Sequence, residues 1–143
     1  MSQATYDDVN LILKLYNFRR EEKLRAARAW FSAEFKVKNM AEYNKLCPAG
    51  SGMNANARQV ITYWDMVASF VNAGVLNRDL FFESGRELLF VWTRVQPIVE
   101  EWRAQYQDTH YLKNLETVGT AFAEHVKKLS PEGYQNFVAR VMR

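Results

Sequence analysis

Apolar residues recur along most of the chain at steps of three and four, the spacing that gathers side chains on one face of an α-helix. After Val9 they fall at Ile12, Leu13 and Tyr16, then at Leu24, Ala27, Trp30, Phe31 and Phe35. The charged block FRREEKLR interrupts this first stripe, and a break is expected near residues 36–39 before a continuation to about 46. Thr5, with Asp7 and Asp8 just after it, predicts the start: a hydroxyl cap, then carboxylates at the positive end of the helix dipole. A loop over 46–54, LCPAGSGMN, separates this segment from a second stripe at Val60, Ile61, Trp64, Val67, Ala68 and Val71, with Asn54 or Asn56 as its expected cap.

A third stripe runs through Phe81, Leu88, Val91, Trp92, Val95, Ile98, Val99 and Trp102 and predicts one helix over 78–105. At the α-helical rise such a helix is on the order of 40 Å long. Pro97 lies inside it, without an N–H to donate and crowding the carbonyl of Thr93, so a kink is expected there. Asp108 and Thr109 restart the chain toward a fourth stripe at Leu112, Leu115, Gly119, Phe122, Val126 and Leu129. Ser130 before Pro131 then predicts the cap of a short last helix carrying Tyr134, Phe137, Val138 and Val141.

Between the second and third stripes stands NAGVLNRD. Gly74 falls just past the last periodic residue, where a left-handed C-terminal cap favours glycine, and Asn77 suits the next N-cap. The segment predicts the turn of a helical hairpin. It also imitates the middle of a calcium-binding EF-hand loop, but the first, third, fifth and twelfth positions would be Ser69, Val71, Ala73 and Leu80. Three of those four offer no side-chain oxygen, so calcium binding is not expected.

The expected fold is therefore all-α, an antiparallel bundle of four long helices plus a short C-terminal helix, in a single helical domain over 1–143. Gly85 and Gly119, on the apolar stripes of helices three and four, are expected to permit close helix approach. Helix one is apolar on more than one side, since Leu11, Leu13, Leu15 and Phe18 flank the stripe of Val9, Ile12 and Tyr16. Phe137 and Val141 of the last helix would cover part of the second side, and a two-fold homodimer through helix one would cover the rest.

Composition narrows the class. Nearly half of the 143 residues are hydrophobic and few are Gly or Pro, the balance of a packed chain. The net charge of +3 is mild, and binding nucleic acid would need those charges gathered on one face. Cys47 is the only cysteine, which excludes an internal disulfide and suits the reducing cytoplasm. The opening residues lack the pattern of a signal peptide, and no apolar run approaches the roughly 20 residues of a membrane span.

Candidate chemistry is sparse. His110 and His125, the only histidines, would be roughly 22 Å apart on one helix, too far to share a metal, so no metal is expected. Cys47-Pro48 reads as a free thiol in a surface loop, and PAGSG lacks the Gly-Lys-Ser/Thr ending of a phosphate-binding loop. In FRREEKLRAAR, Arg19 and Lys23 share a face and Glu21 precedes Arg25 by four, the order of a solvated ion pair. That stretch reads as a solvated helix face, and nucleic acid is not an expected partner. The aromatics Trp64, Phe81, Phe90, Trp92 and Trp102 read as core. The alternative is a small-molecule pocket at the kink, formed by Trp92, Arg94, Pro97, Trp102 and Arg103.

The run RQVITYWDMVASFVNAGVLNRDLFFESGRELLFVWTRVQPIVEEWRAQ, 58–105, resembles a group of small bacterial helical proteins, domain of unknown function 4760. The matching positions are Arg58, Val60, Trp64-Asp65, Gly74-Val75-Leu76, Trp92, Pro97 and Arg103, with weaker matches at 31–35 and in YLKNLETVG. The resemblance implies a bacterial helical protein and no particular activity or cofactor. Some members look membrane-anchored through an N-terminal segment, which the opening residues here do not resemble. Two functions are weighed on this basis: a non-enzymatic interaction or scaffold protein, and a sensor or enzyme using the Pro97 pocket.

Overall fold

A computed structural model describes residues 3–143, and among them every regular element is helical. In chain order these are α1 (Tyr6–Arg19), α2 (Glu22–Glu34), α3 (Met40–Leu46), α4 (Gly52–Asn72), α5 (Arg78–Ser84), α6 (Arg86–Val95), α7 (Val99–Tyr106), α8 (Lys113–Leu129) and α9 (Pro131–Val141), with a 3-10 turn at Gln96–Ile98 between α6 and α7. The all-α expectation holds. The segments expected as four long helices are more finely divided, and only α4 and α8 span their stripes as single long helices.

The first segment parts where the charged block lies. Arg20 donates its N–H to the carbonyl of Asn17 and ends α1, and the Glu21 carboxylate accepts from the Leu24 N–H at 3.1 Å as the cap of α2. Glu21 is thus a cap and not the partner of Arg25, and Arg19 and Lys23 lie on different helices. The expected break at 36–39 is present, and Asn39 starts α3 by accepting from the Glu42 N–H at 2.8 Å. The cap of α4 is Ser51, which accepts from the Asn54 N–H at 3.1 Å, so Asn54 and Asn56 stand inside the helix.

Two local readings match closely. Gly74 has φ +77°, its N–H donates to Val71 and the Val75 N–H to Phe70, the bonding of a Schellman cap. Asn77 accepts from the Leu80 N–H at 2.9 Å and caps α5. The helix expected over 78–105 breaks twice. At Gly85 the Phe81 ring lies against the backbone so closely that an added Cβ would sit 2.3 Å from Phe81 Cζ. At Pro97 the ladder passes through the 3-10 turn, as the missing donor requires.

Asp108 and Thr109 do not start α8. Left-handed Gln107 and Leu112 bracket a turn, and α8 begins at Lys113. Ser130 caps α9 with Pro131 in its first turn, as read.

The α4 helix is central, packed on α2 and α8, while α6 and α9 close over α8. Gly119 allows this approach: a Cβ there would lie 2.4 Å from Trp92 Cγ. One cluster of buried side chains joins Phe31, Ile61, Leu88, Trp102, Leu115 and Phe122 across these elements.

Candidate functional site

The charged block that looked like a solvated face is partly structural. Arg28 donates from Nε and Nη2 to the two carboxylate oxygens of Glu87 at 2.8 and 2.6 Å, and from Nη1 to the Arg19 carbonyl at 3.1 Å. Trp64 Nε1 donates to the same Glu87 at 2.9 Å. One carboxylate on α6 therefore ties α2 to α4, and Arg28 holds the end of α1. The Glu87 hydrogen bond keeps the Arg28 guanidinium charged above its ordinary range, against the cost of burial.

Beside this fork opens a groove of about 480 Å³ between α2, α6 and α9. Its apolar lining includes Phe31, Val60, Phe90, Val91 and Phe137, and Phe31 meets Phe90 edge-on with ring centroids 6.1 Å apart. Its cations are Arg25, Arg28 and Arg86. Arg28 is held by Glu87, whereas Arg25 and Arg86 are exposed and form no ion pair among the described residues.

A second groove, of about 280 Å³, lies between α1, α4 and α5 and is lined by Ile12, Leu15, Tyr16, Tyr63, Trp64 and Phe81 among others. It adjoins the outward side of α1. Of the flanking residues only Leu15 is buried; Leu13 is 55 % and Phe18 59 % exposed, and Val9 and Tyr16 are exposed as well. Tyr6, Val9, Leu13 and Tyr16 follow a three–four–three step and form one exposed apolar stripe. Phe137 and Val141 do not cover it in the way expected, because α9 packs on α8 and α6. Besides the Arg28 bond to the Arg19 carbonyl, two polar contacts hold α1 down: the Tyr63 hydroxyl donates to the Leu15 carbonyl, and Asp8 Oδ1 accepts from the Asn77 N–H at 2.8 Å. That bond, with the one from the Thr5 N–H, keeps the Asp8 carboxyl below its ordinary range.

The five residues of the suggested kink pocket are not brought to one cavity. Pro97 is exposed, and none of the five lines either apolar groove. Trp92 packs on Gly119, and Trp102 is fully buried among Tyr43 and Tyr111. Arg94, only 5 % exposed, donates to the carbonyls of Phe35 at 2.8 Å, Phe31 at 3.2 Å and Val141 at 2.6 Å. It closes the C-terminal ends of α2 and α9, where unpaired carbonyls and the dipole favour a cation. Burial lowers its pKa, and its Cζ lies 4.6 Å from the Phe90 ring centroid. Arg103 donates to the Tyr111 carbonyl at 2.7 Å and lies 3.0 Å from a Glu116 oxygen.

Cys47 is buried, not in an exposed loop, and burial pushes its thiol up to about 11. His110 is exposed in the turn before α8, and His125 lies beside Phe82. Among the described residues no group of three or more His, Cys, Asp or Glu is placed to hold a metal ion, and no helix is long and apolar enough to cross a membrane.

The family model described as "Domain of unknown function (DUF4760)" matches residues 4–122, and the chain belongs to that family. No curated protein and no solved structure matches the chain. Most of the positions that carried the resemblance have structural work, the exposed Arg58 and Val75 side chains apart. Trp64 bonds Glu87, Asp65 accepts from the Leu115 N–H at 2.9 Å at the start of α8, Gly74 makes the left-handed cap and Leu76 is buried. Trp92 fills the space over Gly119, and Arg103 ties α7 to the turn before α8.

Sequence reasoning missed Glu87 and the pairing state of Arg25 and Arg86. Arg28 and Glu87 are 59 positions apart, beyond any local spacing rule.

Proposed function

We propose that this protein is a non-enzymatic interaction protein that assembles through α1, as a two-fold homodimer. The observation that carries this reading is the exposed stripe of Tyr6, Val9, Leu13 and Tyr16 beside the apolar groove of α1, α4 and α5. Projecting apolar side chains and a hollow able to receive them stand next to each other on one molecule. A two-fold contact uses the same patch on both copies, so it satisfies knob and hollow twice. Exposed apolar surface of this kind marks association sites. The single buried thiol suits a reducing compartment, and the same reading places the protein in the cytoplasm.

Light scattering at micromolar concentration tests it. The expected mass is twice the 16.7 kDa of one chain, falling to one chain in Leu13→Glu/Val9→Glu. A parent mass of one chain, unchanged on concentration, overturns the proposal.

A further inference from the structure

We infer that the groove between α2, α6 and α9 is a binding site for a small amphiphilic anion, an apolar chain or ring system ending in a carboxylate. The apolar part would lie on Phe31, Val91 and Phe137, and the carboxylate would be held by Arg25 and Arg86.

Four observations point to that chemistry. The volume, about 480 Å³, falls in the range of roughly 300–1,000 Å³ typical of small-molecule sites. The lining carries three arginines against one carboxylate, a net charge of +2. The one carboxylate, Glu87, already accepts both bonds of the Arg28 fork and the Trp64 N–H, so it does not neutralise the other two cations. Of the two acids in helical register with Arg25, Glu21 is turned to the Leu24 N–H as a cap and Glu22 forms no ion pair with it.

Arginine suits the role assigned to it. Its planar guanidinium gives two parallel donors to a carboxylate, and beside an apolar wall the pair is less screened than in open water. The wall is firm, because Phe31 stacks on Phe35 at 4.5 Å between centroids and Phe90 is backed by the guanidinium of Arg94. A neutral amphiphile would gain nothing from the charges of Arg25 and Arg86, and a cationic one would be repelled. This site is separate from the α1 face and needs no second copy.

Isothermal titration of the full chain with sodium decanoate tests the inference, with decanol, decyltrimethylammonium and acetate as controls. The expected result is one saturable site for decanoate and none for the three controls. Arg25→Glu/Arg86→Glu should weaken decanoate at least tenfold. Ala29→Trp, at an exposed position on the groove wall, should block it with every charge retained. Leu13→Glu on α1 should leave it unchanged. Circular dichroism checks the fold of each variant, and Arg25→Gln/Arg86→Gln replaces the charge reversal if that chain unfolds. No saturable binding of decanoate, equal binding of decanol, or unchanged affinity in either groove variant overturns the proposal. So does loss of binding in Leu13→Glu, which would place the ligand on α1.

Discussion

Asp65, in the middle of α4, accepts a hydrogen bond at 2.9 Å from the backbone N–H of Leu115, fifty positions later. Leu112, at the N-cap position of α8, is left-handed and has no capping side chain. The carboxylate of a packed neighbour therefore takes the place of the local cap. This arrangement holds α4 against α8, the most extensive helix contact in the molecule.

Replacing Asp65 by Ala should destabilise the protein by about 1 kcal/mol at pH 7, the usual loss for a helix cap. Burial raises the Asp65 pKa above its ordinary 3.8, opposed by the Leu115 bond. The folded state then takes up this proton more readily than the unfolded chain, so the group favours folding more as pH falls through the raised value toward 3.8. Urea unfolding of the parent and Asp65→Asn should diverge in the parent's favour over that window. Parallel pH profiles would refute the assignment.

Arg94→Met should cost about 3 kcal/mol, because it strands the buried carbonyls of Phe35 and Val141 without a donor and takes one of two donors from Phe31, which keeps the Phe35 N–H. Lysine should rescue only part of this, since one ammonium cannot reproduce the guanidinium fork. Unfolding midpoints ordered parent, Lys, Met check it, and a methionine variant as stable as the parent contradicts it.

Two glycine-to-alanine changes should differ in origin as well as size. At Gly119 the new methyl would meet Trp92 at 2.4 Å and overpack the α6–α8 contact, costing about 1–3 kcal/mol. At Gly74 there is open space but φ is +77°, so the loss should be about 1 kcal/mol from backbone strain alone. Near-ultraviolet circular dichroism separates them: Gly119→Ala should disturb the tryptophan signal and Gly74→Ala should not.

Cys47 should resist Ellman's reagent at pH 8 in the native protein and react fully in guanidinium chloride. Its burial and its pKa of about 11 leave little accessible thiolate. Rapid stoichiometric labelling of the folded chain would show that the α3–α4 loop opens readily.

The sequence by itself determined what acts over a few residues. Helical class, the Thr5, Asn77 and Ser130 caps and the left-handed Gly74 all depend on contacts within about one helical turn, and each was legible from spacing and residue type. Tertiary structure decided the long-range pairings. Whether Arg94 would line a pocket or close two helix ends depended on carbonyls 47 to 63 positions away, those of Val141, Phe35 and Phe31. The Glu21 cap is local, three positions from Leu24, and was open to a reading of the sequence. The stripe over 78–105 kept its period through both breaks, because a glycine under a ring and a 3-10 turn interrupt hydrogen bonds without shifting the buried face. Helix one read as apolar on more than one side, but periodicity carries no information on which side a neighbour will cover. Only the seating of Leu15 and Asp8 against α4 and the start of α5 decided that Tyr6, Val9, Leu13 and Tyr16 would face outward.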